Sequence, residues 1–188
     1  MPAPLSAVET ISVRGRTFSV KRDDTLHPLF SGNKYRKLHT LLNTPSDHYD
    51  KVISYGGTQS NAMLSIAALA HEKGWQFDYY SKPVAKHLKE SPTGNLKAAL
   101  ELEMNLIEIS HESYDETIEN VRNSNESGSF FIPQGGADPS AGTGVKLAAD
   151  EIRQWQHENG IEELTVVTPS GTGTTAYYLA ASLQEATI

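Results

Sequence analysis

The sequence predicts an α/β fold built on a mostly parallel sheet, and three observations carry that reading. From residue 51 onward, short β-prone runs alternate with Ala- and Leu-rich stretches of helical spacing. The connections are short, and strands that alternate with helices in this way pair in parallel. Glycine and small polar residues gather at 56–61, 133–136 and 169–175, each just after a β-prone run. Open α/β sheets place their ligands at the carboxyl ends of strands.

The elements follow in order. Residues 1–10 read as an irregular lead-in. The β-prone runs 11–13 and 17–21 flank Arg14-Gly15-Arg16 and form a hairpin, which Asp23-Asp24 and Pro28 end. Helical spacing from near Asn33 brings Leu38, Leu41 and Leu42 to one face before Pro45. A strand over 51–55 runs into Gly56-Gly57, and a helix over 60–73 stops before Gly74. A strand at 76–81, a helix at 93–103 and a strand at 105–109 come next. A helix at 114–123, a strand at 129–132 and a long helix at 142–157 continue the alternation. A short buried strand at 164–168 and a helix at 174–183 complete it.

Composition narrows the function. The 188 residues suffice for a real core. With 16 basic and 23 acidic side chains the net charge is −7, the opposite of a nucleic-acid footprint. The absence of cysteine excludes disulfide scaffolds, zinc–thiolate sites and thiol catalysis. No apolar run approaches membrane-spanning length, and Met1-Pro2-Ala3-Pro4 lacks a signal pattern, so a soluble cytoplasmic protein without a membrane partner is expected. The seven histidines show no metal spacing with a carboxylate companion, and no metal is expected. Tyr177 and Tyr178 read as core residues, and 112–126 as a solvated helix face.

Three segments carry chemistry. In Ser31-Gly32-Asn33-Lys34-Tyr35-Arg36-Lys37-Leu38, Lys34 follows a Gly-Asn turn at a helix start. There the helix dipole disfavours a second cation and favours a phosphate, and a lysine that sheds its proton can attack a carbonyl carbon. The same segment also reads as a basic helix start on a solvated surface. The loop Pro169-Ser170-Gly171-Thr172-Gly173-Thr174-Thr175 offers converging N–H groups and hydroxyls to a phosphate. It matches G-x-G-x-x-A over 171–176, the looser dinucleotide fingerprint, without the acidic residue that fingerprint needs further on. It also reads as a tight strand–helix turn. In Gly56-Gly57-Thr58-Gln59-Ser60-Asn61, three polar side chains in a row suggest a bound polar ligand, whereas a plain helix cap needs only Ser60 or Asn61.

Together these segments resemble the pyridoxal-phosphate enzymes of the tryptophan synthase β-like group, in particular the 1-aminocyclopropane-1-carboxylate deaminase and D-cysteine desulfhydrase family. Lys21-Arg22-Asp23-Asp24, Gly32 to Leu38, Gly56 to Asn61, Thr93-Gly94-Asn95-Leu96, Ile132-Pro133-Gln134-Gly135-Gly136 and the glycine loop occur in the family's order. The resemblance runs from about residue 20 to about 183. It implies pyridoxal phosphate as cofactor, a small amino acid such as 1-aminocyclopropane-1-carboxylate or D-cysteine as substrate, and a deaminase or desulfhydrase (lyase or hydrolase) activity. By resemblance Lys34 forms the Schiff base and later moves the substrate's proton. Lys37 and Gly171, Thr172, Gly173, Thr174 and Thr175 hold the cofactor phosphate, and Asn61 bonds the ring's phenolic oxygen. Ser60, with Gln59 and Asn61, receives the substrate, and Ser60 joins Lys34 as a catalytic candidate.

The resemblance also implies two lobes. Residues 1–39 and 146–188 belong to a large cofactor-binding lobe that is incomplete, and 40–145 form a small α/β lobe. Family members continue past the glycine loop, so the chain reads as C-terminally truncated, with an exposed sheet edge that invites a homo-oligomer. Ala62 stands where the family commonly has histidine. The alternatives are a non-catalytic fragment or pseudoenzyme of that fold and, from 171–176 alone, a dinucleotide-binding domain.

Overall fold

The computed structural model describes residues 5–29, 32–124, 126–184 and 188, so Ser31 and the first four residues of the lead-in lie outside it. The chain divides into two compact units, one of residues 1–40 and 139–188, the other of 41–138.

The 41–138 unit is an α/β layer structure. Its parallel sheet has the order β5-β4-β3-β6, from β3 (Lys51–Tyr55), β4 (Gln76–Ser81), β5 (Asn105–Glu108) and β6 (Ser129–Phe131). β3 lies inside the sheet and is an apolar run: Val52 and Ile53 are buried, as is the small Ser54. Lys51 of β3 sits opposite Gln76 on one side and Ser129 on the other. The helices are α3 (Asn61–Lys73), α4 (Lys86–Glu90), α5 (Gly94–Glu101) and α6 (Tyr114–Asn123). α3 buries Met63, Ile66, Ala67 and Leu69, with Phe77, Tyr79 and Leu96 also in the core. Each such large side chain contributes roughly 1.5–3 kcal/mol by leaving water. α4 was not expected, because Lys86-His87-Leu88-Lys89-Glu90 is too short and polar to show a periodic apolar face.

The other unit holds the hairpin β1 (Val8–Val13) and β2 (Arg16–Lys21), α1 (Asn33–Lys37), α7 (Ala141–Glu158) and α8 (Thr174–Ser182). α2 (His39–Asn43) follows α1 after a break at Leu38. The hairpin pairs Val13 with Arg16 across Arg14-Gly15, both at positive φ, the geometry of a two-residue turn. α7 and α8 share a core of Val145, Ala149, Leu179 and Leu183.

The strand expected at 164–168 does not form. Only Thr165 makes a bridge, and Val167 is 88% exposed, so the apolar run Leu164-Thr165-Val166-Val167 is not a buried strand. A strand is defined by its partners, and among the described residues the four-stranded sheet takes in none of this segment. Tyr177 likewise is 69% exposed rather than core, whereas Tyr178 packs on the α7–α8 cluster.

One glycine sets how close α7 comes to α1. A Cβ at Gly144 would lie 1.9 Å from the Arg36 carbonyl oxygen and 2.5 Å from His39 Cβ. Backbone cannot yield as a side-chain tip can. Gly144→Ala is therefore expected to destabilise the protein by at least about 1–3 kcal/mol, the cost of overpacking, despite alanine's better helix propensity. A thermal melt checks this, and an unchanged midpoint would show that α1 can move away freely.

Candidate functional site

The sequence-predicted site residues fall into two groups, one in each unit.

In the 1–40/139–188 unit, α1 carries Lys34 and Lys37 on one short helix, and the glycine loop precedes α8. The fold joins them over a long stretch of chain. Lys37 Nζ donates to Thr172 Oγ1 at 3.4 Å, across 135 positions, and Asn33 Nδ2 donates to Thr175 Oγ1 at 3.3 Å, across 142. Thr172 and Thr174 hydroxyls are themselves 2.9 Å apart. Asn33 presents its other end to the lysine, since Lys34 Nζ donates to Asn33 Oδ1 at 2.8 Å. Asn33 thus ties the Lys34 amine to the start of α8, a role the Gly-Asn turn alone did not disclose.

Burial pushes the Lys34 amine below the ordinary lysine range. Burial and then the neighbouring Lys34 charge push Lys37 down to about 8. The cause is not the helix dipole: α1 is only five residues long, and so short a helix has little macrodipole. Two desolvated amines side by side make a site that gains by taking up an anion. At Gly171 and Gly173 nothing lies within 4 Å of where a Cβ would stand, so the loop's face is open.

Arg36, between the two lysines, anchors α1. Its guanidinium donates to Asp23 Oδ2 and Oδ1 at 3.0 and 2.8 Å and to Glu151 Oε1 and Oε2 at 2.7 and 2.8 Å. Lys21 adds a bond to Glu151. Arg36 itself is 2% exposed, while its partners Asp23, Glu151 and Lys21 are half-buried.

In the 41–138 unit, Gln59, Ser60 and Asn61 stand between β3 and α3. Ser60 caps α3: its Oγ accepts from the backbone N–H of Ala62 at 3.1 Å and of Met63 at 3.3 Å. Gln59 commits both ends of its carboxamide to the start of α5, donating to the Thr93 carbonyl at 3.1 Å and accepting from the Asn95 backbone N–H at 3.0 Å. Asn61 Oδ1 accepts from Asn95 Nδ2 at 2.9 Å. Gly94 has φ +59, and a Cβ there would meet Gln59 Oε1 at 2.6 Å, so the Thr93-Gly94-Asn95 turn requires glycine. Ala62 is 4% exposed and belongs to the core. Tyr79, below Gly56-Gly57, donates to the Gly57 carbonyl at 3.1 Å, and burial raises its phenol pKa. Asn95 and Tyr79 are not evident as site residues in the sequence, because their contacts lie 22 to 36 positions away.

Within the 1–40/139–188 unit the donor set fits the aldehyde and phosphate of pyridoxal phosphate: an amine whose pKa burial lowers, and a second amine beside hydroxyls and an open glycine loop. A direct consequence concerns pH. Lys37 titrates at about 8 when folded and near 10.4 when unfolded, so the unfolded chain binds more protons between those values. Stability should therefore rise through this group as pH climbs from 8 toward 10. Added inorganic phosphate should stabilise the protein more at pH 7 than at pH 9.5. Urea midpoints at the two pH values, for the protein and for Lys37→Met, measure this. An unaltered pH slope in Lys37→Met would contradict it.

Comparisons with known proteins agree. A family model described as pyridoxal-phosphate dependent enzyme matches residues 2–188. A D-cysteine desulfhydrase of Klebsiella pneumoniae is 28% identical over 193 residues, covering 98% of this chain and 58% of the relative. A 1-aminocyclopropane-1-carboxylate deaminase of Variovorax paradoxus is 32% identical over 167 residues, covering 82% of this chain and 49% of the relative. A crystal structure of a homologue of that deaminase superposes with a TM-score of 0.70 at 25% identity, over 90% of this chain and 52% of the other. A cysteine synthase of Entamoeba histolytica shares the fold, with a TM-score of 0.65 at 13% identity, over 96% of this chain and 54% of the other. The chain spans about half the length of the curated relatives it matches. Among the described residues, no helix is long and apolar enough to cross a membrane.

Proposed function

This chain belongs to the pyridoxal-phosphate dependent enzyme family, and from that premise we propose that the protein is a deaminase or desulfhydrase of a small amino acid such as 1-aminocyclopropane-1-carboxylate or D-cysteine. The observation that carries the reading is the pair of lysines on α1, Lys34 half-buried and Lys37 buried, whose pKa values desolvation lowers and one of which is bonded to the glycine loop. When bound, pyridoxal phosphate supplies the electron sink that weakens a bond at the amino acid's Cα. Lys34 Nζ would hold the cofactor's aldehyde carbon and is the amine that would move the Cα proton, and Asn33 Oδ1, which accepts from that amine, orients it. Lys37 and the loop from Gly171 to Thr175 hold the phosphate. Asn61 donates to the ring's phenolic oxygen, and Ser60, in the turn that Gln59 shapes, receives the substrate carboxylate. In this assignment the 1–40/139–188 unit provides the cofactor anchor, and the protein works as a homo-oligomer.

Visible absorption of the purified protein with added pyridoxal phosphate, followed by borohydride reduction and peptide mapping, tests the assignment. A yellow protein with a reduced pyridoxyl group on Lys34 is expected. A second reading, a non-catalytic relative that keeps the fold, draws on the buried Ala62 in place of histidine. It predicts a protein that stays colourless.

A further inference from the structure

The carboxamides of Gln59, Asn61 and Asn95 form a chain whose polarity the backbone dictates. A carboxamide has a donor end and an acceptor end, and which is which follows from its partners. Gln59 Nε2 meets the Thr93 carbonyl, which can only accept, and Gln59 Oε1 meets the Asn95 backbone N–H, which can only donate. Asn95 Nδ2 meets the Gln59 carbonyl at 3.0 Å, again an obligate acceptor, so Asn95 cannot turn its oxygen that way. The remaining hydrogen of Asn95 Nδ2 goes to Asn61 Oδ1 at 2.9 Å. Were Asn61 to flip, two NH2 groups would face each other. Asn61 is therefore locked with its oxygen taken and its Nδ2 hydrogens turned away from the clamp.

We propose that Asn95 is a positioning residue that fixes the polarity of Asn61, so that position 61 offers a ligand a hydrogen-bond donor and no acceptor. This rests on the reading that Asn61 faces the ring's phenolic oxygen. A donor there stabilises the oxygen as an anion, whereas a flipped carboxamide favours the protonated form. Gln59, with both ends engaged, braces the clamp.

Two measurements separate this inference from the functional reading beneath it. In the unliganded protein, 15N-resolved NMR of side-chain carboxamides should show slowly exchanging Asn95 Nδ2 hydrogens, and Asn95→Leu should displace the Asn61 Nδ2 resonances. In the protein loaded with pyridoxal phosphate, Asn95→Leu should raise the midpoint of the pH titration of visible absorbance. The expected rise is on the order of one pH unit, the size of one hydrogen bond to a charged oxygen. In an Asn61→Ala background Asn95→Leu should no longer move that midpoint, and Asn95→Asp, a near-isosteric variant, serves where the leucine variant does not fold. Unmoved Asn61 resonances, or a midpoint shift that persists without Asn61, would overturn the inference. A wild-type protein that takes up no pyridoxal phosphate would defeat the functional reading instead, while the NMR arm still decides whether Asn95 holds Asn61.

Discussion

Replacing Lys34 with alanine is expected to abolish the borohydride-fixed pyridoxyl adduct and to cut turnover more than about a thousandfold. A group that transfers a proton is worth roughly 10²–10⁴ in rate, and Lys34 is assigned the covalent anchor as well. Phosphate binding should survive, because Lys37 keeps its place beside Thr172. Lys34→Arg should not rescue activity, since a guanidinium stays protonated under any working condition. Peptide mapping is the decisive readout, because Lys37 also has a depressed pKa and lies one helical turn away. An adduct found on Lys37 in the wild-type protein would reverse the two assignments.

Arg36→Ala is expected to cost about 3 kcal/mol of stability, the low end of the range for breaking a buried ion pair, because Asp23 and Glu151 are half-buried and keep Lys21 as a partner. Asp23 and Glu151 both lose their main donor, and α1 loses the anchor that holds the two lysines in place. Burial works to raise the Asp23 and Glu151 pKa values. Hydrogen bonds and charges from Arg36 and Lys21, with Ser6 on Asp23, outweigh it and hold both carboxyls below their ordinary range. As pH falls through about 4 the unfolded chain takes up protons before the folded one does. The stability these groups contribute is thus present above about pH 4 and disappears as pH falls through their lower folded values. Urea unfolding at pH 7 and pH 3 should show a steep acid loss in the wild-type protein and a shallower one in Arg36→Ala. Equal losses in both would place the acid sensitivity elsewhere.

Much of the fold could be read from the chain because its signals are local. The continuous apolar run of β3, the Ala- and Leu-rich stretch of α3 ended by Gly74 and the amphipathic pattern of α6 are each set by neighbours in sequence. The segment 164–168 reads as a strand but does not form one, because an apolar β-prone run says only what a strand would be made of, while pairing depends on a neighbour elsewhere. The site was legible in the same limited way. Gly-Asn-Lys, Gln-Ser-Asn and the glycine loop stood out by composition, whereas Asn33 as a bridge, Asn95 as a clamp and Arg36 as an anchor did not.

The sequence by itself determined the α/β class, the residue types on offer and the three loops where they gather, since each follows from short-range order along the chain. The tertiary structure alone decided which of those residues meet. The contact of Lys37 with Thr172 joins positions 135 apart, and the ion pair of Arg36 with Glu151 joins positions 115 apart. So did the origin of the lysines' lowered pKa values: desolvation depends on what other segments exclude from around an amine, and no local pattern of residues records it.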